Sequence, residues 1–296
     1  MMKILLCIIF ISSLLTALPQ NKKNISALRH RIDVLAKSTQ GSFAVAFNDL
    51  QSGETLYVNE KQSFHAASTM KTPVMVEIFK QVQTGKFSLE DSISIKNEFK
   101  SIVDGSTYSL EISSDSDDRM YQLIGKKSTV RNLLDVMINV SSNLATNILI
   151  EKVGPVNVMR TMKSYGLNDI QVLRGVEDGK AFKEGKNNTT TAYDLAILYT
   201  TLAKKTCVSQ QASEEMVKIL TSQKFNDMIP AMLPKDVVVA HKTGSITNVQ
   251  HDSGIIYLPD GRSYVLVILS KDLRSNKDGI HVIAQISKAV FDYMME

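Results

Sequence analysis

The chain has 296 residues, 44% of them hydrophobic, and a formal net charge of +4, enough apolar material for a buried core in one or two domains. Lysine and arginine are scattered, with no basic stripe interleaved with aromatics, which argues against nucleic acid as a partner. No repeat or low-complexity tract is visible, and the weak positive balance mildly favours small anionic substrates.

Lys3 is followed by an apolar run from Leu5 to Leu15 and then by the small residue Ala17. A basic start, a short apolar stretch and a small residue make up the pattern of a secretory signal peptide. It is assigned to residues 1–20, with cleavage near Ala17 or Gln20; an uncleaved anchor is the alternative. The run is too short for a stable bilayer span, so the expected product is exported, periplasmic or secreted, with no stable membrane insertion. Cys7 lies inside that run, which leaves Cys207 alone in the mature chain without an internal disulfide. The apolar helical pattern around Leu195 to Leu202 makes Cys207 a packing residue.

Ile25, Leu28, Ile32 and Leu35 recur at near-helical spacing and predict a helix over about residues 23–38. Phe43–Phe47 and Thr55–Val58 then read as strands of a hairpin, joined by the turn residues 48–53. From 66 to 222 the pattern is mostly helical, with loops at Asp104-Gly105, Gly125, Gly154-Pro155 and 174–188. Val237–Lys242, Gly254–Leu258 and Ser263–Ser270 read as strands, the last two linked through Pro259-Asp260-Gly261-Arg262. Gly279 to Met294 closes the chain as a helix with Ile280, Ile283, Ile286, Val290 and Tyr293 on one face. The order predicts an α/β protein of the α+β type. It would have a five-stranded, mostly antiparallel sheet flanked by terminal helices, with a large all-helical part inserted. The sheet part would comprise about residues 21–65 and 223–296, the helical part about 66–222, together one domain over 21–296.

Three short motifs carry chemistry. Ser68-Thr69-Met70-Lys71 opens a helix, and residues three apart share a face, so a hydroxyl and an amine lie side by side. A serine becomes a nucleophile when a neighbouring base removes its proton, and a helix N-terminus offers N–H groups to a developing oxyanion. Ser141-Ser142-Asn143 supplies a second hydroxyl and an amide donor and acceptor. Lys242-Thr243-Gly244, with Ser245 after it, stands at the end of a predicted strand. Its ammonium and hydroxyl suit a carboxylate, and its glycine permits close approach to the backbone. Each motif alone is common; taken singly, the first is far more often a solvated first turn and the second most often a helix cap.

The three in this order, after a signal peptide, resemble the class A serine β-lactamases and, more broadly, the penicillin-recognising serine hydrolases. The resemblance covers about residues 24–296 and implies a β-lactamase/transpeptidase-like fold. It implies Ser68 as the acylated nucleophile, Lys71 as its proton-handling neighbour and Ser141 as proton donor to the leaving nitrogen. Asn143 would bind the substrate's side-chain amide, Lys242 and Thr243 its carboxylate, and the N–H groups of Ser68 and Ser245, beside Gly244, the oxyanion. The family carries a deacylating carboxylate on a loop opened by an arginine, and Arg174-Gly175-Val176-Glu177-Asp178-Gly179 occupies that place. Glu177 is the candidate base and Asp178 its nearest rival.

The departures fall in that loop. Arg-x-Glu becomes Arg-Gly-Val-Glu, and Ala181 stands where an asparagine usually seats the water. Asn188 stands where an aspartate often pairs with the arginine. Ser142 replaces an aspartate, and Gln250 an arginine that helps bind the carboxylate. The implied function is hydrolysis of the cyclic amide of penicillins or cephalosporins by a monomer without metal or organic cofactor, and no Cys/His cluster suits a zinc enzyme. The alternatives are a D-Ala-D-Ala carboxypeptidase or a penicillin-binding serine protein that does not turn over.

Overall fold

The computed structural model describes residues 23–296; the expected signal peptide lies outside the described residues. Asn24 caps the first helix by accepting from the backbone N–H groups of Ser26 and Ala27. The chain then runs α1 (Ile25–Ala36), β1 (Ser42–Asp49), β2 (Thr55–Val58) and β3 (Phe64–His65). A 3₁₀ turn, Ala67–Met70, feeds α2 (Lys71–Gln83), followed by β4 (Ser92–Ser94), β5 (Phe99–Lys100), β6 (Thr107–Tyr108) and β7 (Lys127–Thr129). Next come α3 (Val130–Asn139), α4 (Asn143–Val153), α5 (Pro155–Ser164), α6 (Gly179–Lys183), β8 (Thr189–Thr190), α7 (Ala192–Ala203) and α8 (Gln210–Thr221). Three long strands, β9 (Val238–Ile246), β10 (Val249–Tyr257) and β11 (Ser263–Lys271), and α9 (Asn276–Met295) complete the described fold.

The main sheet has the order β2-β1-β11-β10-β9, every pair antiparallel, as the sequence pattern predicts. Side chains alternate across it. Val45, Phe47, Leu266 and Ile268 face α1 and α9 in one apolar core, while Ala44, Ala46, Val267 and Leu269 join the helical block in another. Helix α2 lies at the centre of that block and is buried from Lys71 to Phe79, the polar Lys71, Thr72 and Glu77 included.

Two expectations are corrected. The inserted part is not all-helical: β3 pairs with β8, β4 with β7 and β5 with β6. These segments are too short to show an alternating pattern, and they pair because backbone groups in loops packed on a core need partners. The other correction concerns β9 and β10, which extend through Ile246 and back to Val249. Gln250, His251, Asp252 and Ser253, outside the strands expected from the sequence, are all buried and paired with Ser245, Gly244, Thr243 and Lys242. The motif Lys242-Thr243-Gly244 thus sits inside an edge strand rather than at its end.

Candidate active site

Ser68 is the only residue from Ala66 to Phe79 that is not buried. The turn that presents it is strained: Ala67 holds φ 45°, a left-handed conformation costly for any side chain. Gly244 lies against this turn, and a Cβ there would stand 3.2 Å from the backbone nitrogens of Ser68 and Thr69. The glycine therefore lets the sheet edge approach the nucleophile's own backbone.

Lys71, one residue into α2, is fully buried. Its Nζ donates to the Ser141 carbonyl at 2.6 Å, to Ser141 Oγ at 3.0 Å and to Asn143 Oδ1 at 3.0 Å. Lys242 Nζ, from β9, donates to the same Ser141 Oγ at 3.0 Å and to the Thr243 carbonyl at 3.0 Å. Ser141 reaches between the two amines from the junction of α3 and α4, with φ 61°. Both lone pairs of its hydroxyl are engaged by N–H donors, so its own O–H is left to donate elsewhere. Burial brings Lys71 down to a pKa of about 7, against the opposing pull of Asp115 and Glu177. Lys242 is pushed well below the ordinary lysine value by burial and by Lys71. Two amines this close in a dry site do not both hold a proton easily.

Asn143 links this cluster to the loop: its Nδ2 donates to Glu177 Oε1 at 2.9 Å. With its oxygen on Lys71 and its nitrogen on Glu177, the amide has one N–H left for a substrate carbonyl. Glu177 stands at φ 62° and lines, with Ser68 and Asn143, one continuous cavity. Its surface is open to that cavity, yet the surrounding protein desolvates the carboxyl. That desolvation, aided by Asp115, raises its pKa against the Asn143 hydrogen bond and the charge of Lys71. Ser68, Ser141, Asn143, Thr243 and Ser245 line the adjoining part of the cleft. The structure thus brings together all the residues singled out from the sequence: Lys71, Ser141, Asn143 and Lys242 by direct hydrogen bonds, Glu177 through Asn143, and Ser68, Thr243 and Ser245 along the cleft wall. Gly244 is the closely packed exception. Asp178, the rival base, is buried and accepts from Ser101 Oγ, Ile102 N and Ala181 N. Burial works to raise its pKa, but these hydrogen bonds outweigh it and the net shift is downward. It anchors the loop and is not placed to take a proton.

The loop is rebuilt around neutral groups. Asn188 Oδ1 accepts from the backbone N–H groups of Leu173 and Arg174, and its Nδ2 donates to the Arg174 carbonyl. Arg174 in turn donates to the carbonyls of Lys186 and Gly175 and to Asn187 Oδ1. The added residue has a purpose visible in its packing: a Cβ on Gly175 would lie 2.5 Å from Asn147 Oδ1. Asn147 accepts from Val176 N at 2.7 Å and donates to its carbonyl at 3.1 Å, clasping the residue before Glu177.

Sequence reasoning missed Asn147 and Asp115. The first had a signal, because Asn143 and Asn147 are polar residues four apart, one face of an otherwise apolar helix. Asp115 had none. Its carboxylate accepts from the backbone N–H groups of Asn143 and Leu144 at 2.9 Å and from Tyr121 Oη, so it caps α4 from a loop distant in sequence. Gln250, where an arginine was the familiar residue, donates to Ser245 Oγ at 2.7 Å and so steadies the cleft wall. Among the described residues no group of three or more His, Cys, Asp or Glu side chains could hold a metal ion, and no helix is long and apolar enough to cross a membrane. Cys207 is free and buried, as expected of a packing residue.

Comparison with known proteins agrees with this geometry. Residues 27–294 match the model of a family described as the beta-lactamase enzyme family. A beta-lactamase of Bacteroides uniformis is 27% identical, over 92% of this chain and 93% of its own length. The extended-spectrum beta-lactamase PER-1 of Pseudomonas aeruginosa is 24% identical over 91% of this chain and 88% of its own. Among solved structures, a beta-lactamase from Sphaerobacter thermophilus superposes with a TM-score of 0.80 at 25% identity, covering 92% of this chain and 99% of that one. PBP-A superposes equally well, with a TM-score of 0.80 at 26% identity over 94% and 99%.

Proposed function

From a chain that belongs to the beta-lactamase enzyme family, we propose a serine β-lactamase that opens the cyclic amide of penicillins and cephalosporins through an acyl-enzyme on Ser68. The observation that carries this reading is the shared Ser141 hydroxyl: two amines donate to it, in a cleft that also takes in Ser68, the one residue of 66–79 that is not buried.

In this reading Lys71, with a pKa of about 7, spends much of its time at neutral pH as a free amine. Losing a proton removes one of its three donors and supplies a lone pair to take the Ser68 proton. The Ser141 O–H, with its lone pairs occupied, donates to the ring nitrogen as the amide breaks. Lys242 and Thr243 hold the substrate carboxylate, and the N–H groups of Ser68 and Ser245 stabilise the oxyanion, each such donor being worth about 3–4 kcal/mol. Glu177, desolvated and steered by Asn143, activates water against the ester. The reaction needs no metal or organic cofactor. A D-Ala-D-Ala carboxypeptidase is not favoured, since the matching family and the relatives from Bacteroides uniformis and Pseudomonas aeruginosa are β-lactamases over nearly the whole chain. We also propose that residues 21–296 act as one catalytic domain, monomeric and exported to the periplasm or medium, on the strength of the basic-apolar-small pattern of residues 1–20.

A chromogenic cephalosporin, followed by colour and intact mass together, tests the proposal. Continuous turnover is the expected result. A stoichiometric burst with a lasting adduct would instead mark a non-hydrolysing binder, and release of D-alanine from a pentapeptide with an inert cephalosporin would mark a peptidase.

A further inference from the structure

The loop arginine holds a position that its hydrogen bonds do not account for. Arg174 is only 5% exposed, and its three acceptors are two backbone carbonyls and one amide oxygen. A guanidinium carries five N–H groups, so two have no acceptor among the described residues, and no carboxylate forms an ion pair with it there. A buried charge without a counter-ion is costly. Burial indeed lowers its pKa, only partly offset by Asp178, whose oxygens are turned to Ser101, Ile102 and Ala181.

Arg174 lines a cavity of about 690 Å³ that runs from Ser68 and Glu177 beneath the loop, within the size range of sites for drug-sized ligands. His65 lines it too. Its Nδ1 accepts from the Ala67 backbone N–H at 3.1 Å, which fixes the proton of the neutral ring on Nε2 as a second donor. Burial and the charge of Arg174 lower the His65 pKa and keep the ring neutral. Phe182 and Ile246, 58% and 39% exposed, are on the wall of the same cavity, which Glu177 and Asp178 also border; Phe182 meets the His65 ring edge to face at 6.4 Å. Apolar lining beside a guanidinium that no carboxylate pairs with directly describes a slot for an apolar arm with an anionic tip.

We propose that Arg174 and His65 form an anion subsite that selects β-lactams whose acylamino side chain ends in a carboxylate. The subsite rests on the β-lactamase reading and specifies its preferred substrate class. The replacement of an acidic residue by Asn188 is what frees the arginine: the amide satisfies the backbone of Leu173 and Arg174 without neutralising the guanidinium.

The test compares two cephalosporins that differ only in ending the side chain with a carboxylate or with its carboxamide, Ser68 acylation being followed by intact mass at limiting concentration. The wild type should acylate about tenfold faster with the carboxylate. Arg174→Gln, and Asn188→Asp, which supplies an internal counter-charge while keeping the arginine, should each bring the ratio to about one. If Arg174→Gln does not fold, Asn188→Asp carries the test alone. Equal rates in the wild type, or a tenfold preference kept in Asn188→Asp, would overturn the subsite and leave the β-lactam reading standing. Absence of any Ser68 adduct, also with a penicillin of neutral side chain, would overturn both.

Discussion

The two halves of the catalytic apparatus are built in opposite ways. Lys71 and Lys242 project from a buried helix and from a strand of the main sheet, and Ser141 from a helix junction, so each is positioned by packed elements. Glu177 stands on a loop held by amide-to-backbone hydrogen bonds of Asn147 and Asn188. In the proposed mechanism acylation rests on groups that cannot move without disturbing a core, and deacylation on one whose loop is held by the amides of Asn147 and Asn188 and by the Asp178 carboxylate. The second step of that mechanism can therefore be altered by substitutions in the loop that leave the residues of the first in place.

The comparison can be broken most sharply at its common point. Ser68→Ala removes the only proposed nucleophile and should lower turnover by about 10⁴-fold or more, with no covalent adduct in the mass spectrum; retained turnover would sink both halves. Glu177→Gln should separate them. Its acyl-enzyme should persist while turnover falls about 10²–10⁴-fold, and an unchanged steady-state rate would remove Glu177 from the mechanism. The smallest effect is the most specific. With Lys71 as base, the acylation rate should rise with pH through a midpoint near 7. Asp115 favours the charged ammonium and so raises that value; Asp115→Asn should therefore move the midpoint to lower pH, by about half a unit to one unit. Stopped-flow acylation across pH reads this directly, and an immobile midpoint would take the proton-accepting role from Lys71. Asn keeps an acceptor for the end of α4, so this variant should stay within about 1 kcal/mol of wild-type stability, whereas Asp115→Ala should cost about 1 kcal/mol, measurable by urea denaturation.

Legibility in the sequence follows the same division. The sheet order and the terminal helices were readable because alternation and helical spacing are imposed by burial on one face, as in β1 and α9. The acylating residues were readable because each sits in a short motif whose spacing is set by a helix turn or a strand. Residues 250–253 were not, because their burial is compensated by partners from other segments: Asp252 by His241 and the Ile229 N–H, His251 by the carbonyl of His65. Asp115 was not, because the helix end it serves begins at Asn143, far along the chain. The loop itself could be located from Arg174 and Glu177, but its neutral clasp could not, since nothing local distinguishes an asparagine that holds a backbone from one that faces water.

The missing side chain at Gly175 has an evolutionary corollary. With Asn147 Oδ1 only 2.5 Å from where a Cβ would go, even alanine there must displace the side chain that clasps Val176, the residue before Glu177. Substitution at this position is therefore disfavoured by packing, whereas Phe182, 58% exposed, can be exchanged without touching that clasp.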